Sequence, residues 1–391
     1  MSTLVLCALA TACEQQQQPT NNPEPVAAAP AKPVKPIPEN FFAVTPQLTV
    51  VGVDTAVDFY VKALGAQKLF SLPGPDGTTI HAEVKIGDSI VMIDEQNLEQ
   101  GAKAPTTLGG TPATLMVYVP DADAAFATAV AAGATAERPI EEQFWGDRYG
   151  QLIDPAGHRW ALATHVEDLT PEQMQQRGAI VMAEMDPKAK KKKKKAKKGA
   201  PPAWKAIAGT PATAPVPPPY HTVTVALTTD DAAKAIEFYK TALGATERDR
   251  MVDPSGKIMH AELAIGDSFL MLSDEYPAMG SKAAKTLGGS PVALMFYTED
   301  VDAAYAKATG AGATAALPVA DMFWGDRYGA VLDAAGYLWG IATHKEDLTP
   351  EQIAERAKAA MPAAAAPTEA APAGDAAAAT PAATPAAPPA G

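Results

Sequence analysis

The segment FWGDRYG occupies residues 144–150 and recurs without a change at residues 323–329. The same shift of 179 residues aligns residues 44–174 with residues 223–353 without a gap, and half or so of the positions are identical. Self-similarity at a fixed spacing is typical of a repeated structural unit. The sequence therefore predicts a duplicated domain, and the absence of gaps predicts the same fold in both copies.

Each copy has a further repeat inside it. In the first copy a strand-like segment, PQLTVV, precedes an amphipathic helix that ends at Gly65, and three strand-like segments follow (AQKLFSL, TTIHAEVKI and SIVMID). The pattern then starts again with TPATLMVYV, a second helix (DADAAFATAVAAG) and three more strand-like segments. Each copy is therefore predicted to be βαβββ twice.

Paired βαβββ units with FY…ALGA and GDRYG resemble the vicinal-oxygen-chelate superfamily, which includes glyoxalase I, extradiol dioxygenases and antibiotic-resistance binding proteins. The motifs HAE, LGG, QFWGDRYG and THVEDLTPEQ are similar to its PhnB-like branch. The resemblance implies an α+β fold of two tandem glyoxalase-like modules, each built of paired βαβββ units that form an open curled eight-stranded sheet around a small molecule. The two modules can pair within the chain or between chains; an intrachain pseudo-dimer is favoured, because the linker keeps the two modules at high effective concentration.

Metal-dependent members of this superfamily place four His, Gln or Glu ligands on inner strand faces. Carried over by position, these ligands fall on Thr45, Met92, Thr114 and Ala161 in the first copy, and on Thr224, Met271, Ala293 and Gly340 in the second. Methionine and alanine supply neither imidazole nor carboxylate oxygen. No metal and no other cofactor is therefore expected.

A divalent metal remains the alternative, because the pattern His-x-Glu occurs four times. Residues i and i+2 share one face of a strand, so two such pairs could form a mixed nitrogen and oxygen ligand set. The fallback ligands are His81, Glu83, His165, Glu167, His260, Glu262, His344 and Glu346. Against this, EDLTPEQ is typical of a helix start with Thr170 or Thr349 as N-cap, which places the later pairs beyond the last strand.

The repeated segment supplies the candidate ligand-binding residues: Trp145, Asp147, Arg148 and Tyr149, with Trp324, Asp326, Arg327 and Tyr328 in the second copy. Arginine could hold a carboxylate or phosphate, and with His81 across the sheet it would form a pocket for an anion and an aromatic ring. The structural alternative is an internal Asp–Arg pair that fixes a long loop. His81 and His260 are the candidates for acid–base catalysis, since an unperturbed imidazole titrates near neutrality.

Composition limits the partners. The net charge is −13, and residues 188–198 hold nine lysines, which leaves 23 Lys and Arg against 45 Asp and Glu in the rest of the chain. The folded parts should therefore repel nucleic acid. The two cysteines, Cys7 and Cys13, lie at the N-terminus, so no disulfide or thiolate chemistry is expected in the modules.

The N-terminal segment ends in LATAC and resembles a bacterial lipoprotein signal, with Cys13 as the lipidated residue. This predicts a membrane-anchored protein of the cell envelope; the alternative is a disordered leader on a cytoplasmic protein. The lysine run is interpreted as a solvated connector or as a contact for anionic lipid. The predicted divisions are a signal-like segment at 1–13, a disordered tether at 14–40, module 1 at 41–176, a Lys- and Pro-rich linker at 177–219, module 2 at 220–357 and a disordered tail at 358–391.

Three functions remain open at this point. The first is a small-molecule binding protein without the usual metal site. The second is a metal-dependent glyoxalase-like lyase or isomerase, or a dioxygenase, that uses the His-x-Glu pairs. The third is a structural envelope protein whose cups no longer bind a ligand.

Overall fold

A computed structural model of the chain describes residues 34–185 and 201–360. Cys13, the signal-like segment, the lysine run at 188–198 and the tail beyond residue 360 lie outside the described residues. No helix in the two described ranges is long and apolar enough to cross a bilayer.

The first copy follows the predicted βαβββ order twice. Its elements are β1 (Val44–Val50), α1 (Val53–Leu64), β2 (Gln67–Pro73), β3 (Thr79–Ile86), β4 (Ser89–Glu95), α2 (Pro105–Leu108), β5 (Ala113–Tyr118), α3 (Ala122–Ala131), β6 (Thr135–Glu142), β7 (Asp147–Ile153), β8 (Arg159–His165), β9 (Glu167–Asp168) and α4 (Pro171–Met185).

The second copy repeats this order. Its elements are β10 (Thr210–Pro211), β11 (Val223–Thr229), α5 (Ala232–Leu243), β12 (Thr246–Val252), β13 (Ile258–Ile265), β14 (Ser268–Asp274), α6 (Ala284–Leu287), β15 (Val292–Tyr297), α7 (Val301–Gly310), β16 (Thr314–Asp321), β17 (Asp326–Leu332), β18 (Leu338–His344) and α8 (Pro350–Ala360). Every predicted strand and both predicted helices of each copy are confirmed.

Local sequence signals set the helix ends. Helix α1 ends at Gly65, which has a φ of 65°, a left-handed conformation that glycine adopts without a steric penalty. Helix α4 begins as predicted: the backbone N–H of Gln173 donates to the Thr170 hydroxyl at 3.2 Å, and the Gln173 side chain accepts from the Thr170 N–H at 2.8 Å. This reciprocal pair satisfies two N–H groups that the first turn leaves unpaired.

The strands form two open eight-stranded sheets, and each sheet takes four strands from each copy. One sheet has the order β16-β17-β18-β15-β1-β4-β3-β2, and the other has the order β12-β13-β14-β11-β5-β8-β7-β6. The α+β fold of two glyoxalase-like modules and the intrachain pseudo-dimer are confirmed. The sequence expectation that one copy builds one sheet is corrected, because β1 pairs with β15 and β11 pairs with β5, both antiparallel.

Helices α1, α3, α5 and α7 cover one face of the sheets and leave the opposite face open. Alternate strand residues, such as Leu48, Leu162 and Ile341, join a continuous core beneath the helices. Because successive side chains of a strand point to opposite faces, the residues between them lie on the open face. We call the open face of the β1–β4/β15–β18 sheet cup 1, and the open face of the β11–β14/β5–β8 sheet cup 2.

Part of the predicted linker is folded. Residues 203–206 form a 3-10 helix, Trp204 is buried, and Thr210–Pro211 pairs with β9. The Pro-rich composition predicted a disordered connector through residue 219, but one large aromatic residue and a short strand provide enough buried surface to order residues 201–219. The predicted tether is likewise ordered at its end, where the Pro36 carbonyl accepts from the His344 backbone N–H at 2.9 Å.

Candidate functional site

The floor of cup 1 is apolar and aromatic. It is a buried cluster formed by Met92, Met295, Tyr297 and Ala342. Ile37 and Phe41, from the segment before β1, pack onto this floor together with Tyr328 of β17. The Phe41 and Tyr297 rings meet edge to face, with their centroids 5.5 Å apart. The end of the N-terminal segment therefore fills part of the cup.

Four polar side chains lie beside this floor. The strand register places His81 opposite Asp94 and places Gln47 and Glu83 opposite Met92, so all four share the open face. The Nδ1 atom of His81 lies 2.6 Å from a carboxylate oxygen of Asp94, and the Gln47 amide donates to the other oxygen. The Nε2 atom of His81 lies 3.7 Å from Glu83. We call Gln47, His81, Glu83 and Asp94 the polar cluster.

The polar cluster holds a protonated histidine. Burial alone would lower the pKa of His81, but the hydrogen bond to Asp94 and the nearby Glu83 carboxylate outweigh burial and raise the pKa to about 10. At neutral pH His81 is therefore an imidazolium between two carboxylates. In this state it can donate a proton but cannot act as the general base that an ordinary imidazole provides.

Glu83 is the most weakly held member of the polar cluster. Its side chain is 23% exposed, and its carboxylate lies 3.7 Å from the Nε2 atom of His81, beyond ordinary hydrogen-bond length. Tyr328, nearby, has a pKa raised to about 12 by burial and by the charge of Asp94. Cup 1 thus has a partly buried carboxylate that remains available to a donor from outside the chain.

Cup 2 has kept only half of the polar cluster. Its equivalent residues are Ala226, His260, Glu262 and Ser273. Without an aspartate at position 273, His260 loses its charge partner, and burial lowers its pKa despite the charge of Asp249. Burial also raises the pKa of Glu262. In cup 2, burial therefore disfavours the charged forms of both His260 and Glu262.

The linker fills cup 2. Val216 and Tyr220 pack on its floor, and the Tyr220 hydroxyl donates to Glu262. The Pro215 carbonyl accepts from the His165 backbone N–H at 3.0 Å, as Pro36 does for His344 in cup 1. Tyr220 and Phe41 occupy equivalent positions in the two copies, and only tyrosine carries a hydroxyl.

The linker also fixes helix α4 across cup 2. The Arg177 side chain of α4 is 1% exposed, pairs with Glu167 at 2.7 Å and donates to the carbonyl of Ile207. Its guanidinium lies 5.1 Å from the centre of the Trp204 ring. The equivalent Arg356 of α8 is 42% exposed, and its recorded partner is Glu346. Among described residues, α8 has no counterpart of the Trp204 contact.

The repeated segment serves the same purpose in both copies. The buried carboxylate of Asp147 accepts from the indole of Trp145 and the hydroxyl of Tyr118, both at 3.0 Å, and contacts His165 Nδ1 at 2.8 Å. Asp326 makes the same three contacts with the equivalent residues, at 3.2, 3.0 and 2.7 Å. Three donors thus share one buried acceptor in each copy, which explains why the Trp and Asp of the motif are unchanged.

The expected Asp–Arg pair within the motif is wrong. Arg148 faces away from Asp147 and forms a two-pronged ion pair with Asp123 of α3, while Arg327 does so with Asp302 of α7. Neighbouring residues of a strand point to opposite faces, so the adjacent Asp and Arg cannot share a cup. The expected pocket of His81 with Trp145 and Arg148 is also wrong, because His81 lies in cup 1 and Trp145 lies beside cup 2.

The strand exchange separates the fallback metal ligands of each copy and brings His344 into the sheet of His81 and Glu83. Both ring nitrogens of His344 are paired there, with Asp326 and Asp347. His81 and Glu83 belong to the sheet of cup 1, whereas His165 belongs to that of cup 2, and Glu167 turns to Arg177. The positions carried over from the superfamily meet on the open faces as Thr45, Met92, Ala293 and Gly340 in cup 1, and as Thr224, Met271, Thr114 and Ala161 in cup 2. These side chains do not fit a catalytic metal. Over residues 34–185 and 201–360, no group of three or more His, Cys, Asp and Glu has a metal-binding arrangement.

Comparison with known proteins agrees with this architecture. The model of the glyoxalase/bleomycin resistance protein/dioxygenase superfamily matches residues 43–162 and again residues 221–341. The chain belongs to this superfamily. The two matched segments correspond to the two copies. Each copy of this superfamily member contributes four strands to the sheet of each cup.

Its relatives include an uncharacterized protein of Mycobacterium bovis, 44% identical over 136 residues that cover 34% of this chain and 90% of that protein. An uncharacterized Arabidopsis thaliana protein is 33% identical over 125 residues, covering 30% of this chain and 74% of that protein. Among solved structures, glyoxalase I from Zea mays covers 81% of this chain and 96% of its own, at 16% identity and a TM-score of 0.48. That likeness carries no inference about activity.

Gln47 and Asp94 were missed by the sequence reasoning, which searched for letters that both copies share. The signal that could have found them is a difference between the copies. At these positions the copies differ, with Ala226 and Ser273 in the second copy.

Proposed function

We propose that this superfamily member is a small-molecule binding protein whose ligand site is cup 1. The observation that carries the proposal is Glu83, a partly buried carboxylate on the open face that is held by the chain only through a 3.7 Å ion pair with His81 among the described residues. Partly buried polar groups are normally well hydrogen-bonded, so a carboxylate with one distant partner beside an aromatic floor is typical of a site that a ligand completes.

We propose further that binding at this site needs no metal or other cofactor. The donor set supports this, because threonine, methionine, alanine and glycine occupy the four positions where relatives place metal ligands. The histidines support this as well, because both ring nitrogens of His344, which shares the sheet of His81 and Glu83, are already paired with Asp326 and Asp347.

Cup 2 supports the third hypothesis for one half of the molecule only. Tyr220 and Val216 fill it, and the Arg177–Trp204 contact fixes the helix above it. The proposal therefore includes a stoichiometry of one ligand per chain, bound in cup 1.

A screen by thermal shift tests the proposal, since a ligand that binds only the native state raises the melting temperature. Purified protein would be screened against small cations, anions and neutral aromatic compounds, with metal content measured in parallel. We expect sub-stoichiometric metal and a raised melting temperature for one class. The variant Gln47→Ala/Asp94→Ser, which gives cup 1 the residues of cup 2, should lose the shift.

The matched control is Ala226→Gln/Ser273→Asp, which changes the same positions in cup 2 and should keep the shift. A response that survives in Gln47→Ala/Asp94→Ser would place the ligand outside cup 1. Stoichiometric metal, or no response from any compound, would refute the proposed function.

We also propose, from the sequence, that the protein is anchored in the bacterial cell envelope through lipidated Cys13, and that the lysine run contacts anionic lipid. The motifs HAE, LGG and QFWGDRYG support a place in the PhnB-like branch. Membrane fractionation of a Cys13→Ser variant tests the anchor: release into the soluble fraction is expected, and unchanged fractionation would contradict lipidation there.

A further inference from the structure

The two cups differ around one pair of equivalent carboxylates, Glu83 in cup 1 and Glu262 in cup 2. In cup 2 two groups of the chain converge on this carboxylate. The Tyr220 hydroxyl donates to it, and the Nε atom of Arg248 lies 3.5 Å away. The Arg248 guanidinium also lies over the Phe269 ring, 4.9 Å from its centre. Glu262 thus receives a hydroxyl donor and a cation backed by an aromatic ring.

Cup 1 lacks both groups. Phe41 stands where cup 2 has Tyr220, and Leu69 stands where cup 2 has Arg248. Leu69 and Arg248 occupy the same place in the fold, because each is the extra residue of a bulge in the edge strand of its sheet. A bulge redirects the side chain of its extra residue, here towards the neighbouring carboxylate in cup 2. The same carboxylate in cup 1 meets only apolar side chains at these two places.

The charges of the polar cluster do not balance. Asp94 and Glu83 are both carboxylates, and His81 is the single cation between them. Asp94 already has two donors, Gln47 and His81, so the surplus negative charge rests on Glu83. The nearby Asp326 and His344 form an ion pair of their own at 2.7 Å and add no surplus positive charge. A carboxylate with surplus charge, away from bulk water, attracts a cation.

Aromatic rings line the floor of the same cup. Phe41 and Tyr297 are in edge-to-face contact, and Tyr328 packs against the same floor. Ring faces attract ammonium and guanidinium groups, as Phe269 and Arg248 illustrate in cup 2. Leu69, 46% exposed at the edge strand, offers an apolar contact for the rest of a ligand.

We propose that cup 1 binds a small organic cation, an ammonium or guanidinium compound whose N–H groups donate to Glu83. The ligand supplies from outside what Arg248 and Tyr220 supply to Glu262 from within the chain. This inference rests on the proposed function and names its ligand class.

Calorimetric titration with three probes of similar shape but different charge tests the class. The probes are benzylamine, benzyl alcohol and benzoate. Because hydrogen bonds between charged groups are stronger than neutral ones, we expect benzylamine to bind roughly tenfold or more tightly than benzyl alcohol, and benzoate not to bind. Glu83→Gln should remove the preference for the amine, and Glu262→Gln, its matched control in cup 2, should keep it.

Exchanging the residues between the cups provides the decisive comparison. Leu69→Arg/Phe41→Tyr gives cup 1 the internal cation and hydroxyl of cup 2 and should abolish amine binding. Arg248→Leu/Tyr220→Phe removes them from cup 2 and should raise the stoichiometry from one amine to two per chain. Circular dichroism and the melting temperature show whether each variant is folded. If one of the two does not fold, Glu83→Gln tests the cation assignment independently.

The outcomes separate the two proposals. Equal binding of the amine and the alcohol, or amine binding that persists in Leu69→Arg/Phe41→Tyr, would overturn the cation assignment. If benzoate or benzyl alcohol binds in cup 1 while benzylamine does not, the proposed function stands and only the ligand class fails. If no probe binds and the wider screen is also silent, the proposed function itself fails.

Discussion

The two cups share one strand plan, one floor and one buried Asp–Trp–Tyr–His contact, yet one is filled from within and the other has an available carboxylate. In cup 2 the linker provides Tyr220 to Glu262 and Trp204 to Arg177. In cup 1 the matching residues are Phe41 and a half-exposed Arg356. The difference teaches that a histidine and a glutamate present in both cups can have different surroundings, because the residues that contact them differ between the copies.

The linker contact gives the largest expected difference between the cups. Arg177→Ala removes a buried cation, leaves the Ile207 carbonyl without its donor and takes from Glu167 its ion-pair partner, so we expect a loss of about 3–5 kcal/mol in the free energy of unfolding. Arg356→Ala removes only an exposed ion pair and should cost less than about 1 kcal/mol. Urea denaturation of both variants measures the difference, and equal losses would show that the linker does not fix α4.

The shared contact should show no difference between the cups. Asp147→Ala and Asp326→Ala each remove the acceptor of one buried and two partly buried donors, and we expect each to cost about 3 kcal/mol. Urea denaturation is again the measurement. A clearly unequal loss would contradict the structural purpose assigned to FWGDRYG. Loss of ligand binding from Asp147→Ala, in a protein that is still folded, would restore the motif as a ligand site.

The pKa values of the histidines in the two cups should be shifted in opposite directions from the ordinary value. The pKa of His81 is raised to about 10, so its stabilisation is present below the ordinary value and is lost as the pH rises towards 10. The pKa of His260 is lowered by burial, so its neutral form stabilises the protein above the ordinary value, and this is lost as the pH falls below it. NMR titration of the imidazole signals, with His81→Gln and His260→Gln for assignment, measures both; similar values near neutrality would remove the charge difference between the cups.

A smaller difference between the two copies lies in the core beneath the helices. His158 is fully buried, its Nε2 atom bonds the Thr49 carbonyl at 2.9 Å, and its Nδ1 atom has no partner in the described residues. The equivalent Tyr337 hydroxyl donates to the Thr228 carbonyl at 2.8 Å and reaches that of Pro112 at 3.0 Å. We expect His158→Tyr to stabilise the protein by about 1 kcal/mol.

Thermal denaturation at neutral and mildly acidic pH measures this change. Burial lowers the pKa of His158, so the wild type should lose stability as the pH falls below the ordinary histidine value, and the variant should lose less. Destabilisation at both pH values would mean that the larger ring does not fit.

Much of the fold could be predicted from local patterns. Gly65 ends α1 and Thr170 caps α4 because these signals act within a few residues and need no tertiary context. The exchange of strands could not be predicted, since β1 and β11 have the same burial pattern and either satisfies the pairing needs of β5 and β15. Hydrophobic alternation fixes which side chains face a core, but not which copy of a strand supplies them.

The candidate site was only partly predictable for the same reason. His81 and Glu83 stood out as a His-x-Glu pair, but their partners Gln47 and Asp94 lie on other strands and depend on register. Trp204 was overlooked because Pro-rich surroundings predicted disorder. Its burial depends on Arg177, 27 residues earlier in the sequence, a contact that no local pattern indicates.

Strand exchange within a single polypeptide changes how the pockets can evolve. In a homodimer of one copy, symmetry would impose every substitution on both pockets at once. Here each quarter of the chain contributes to one pocket only, so a mutation such as Ser to Asp at one strand alters one pocket and spares the other. Gene fusion thereby allows one pocket to be closed permanently as scaffold while its twin keeps, or acquires, a ligand of its own.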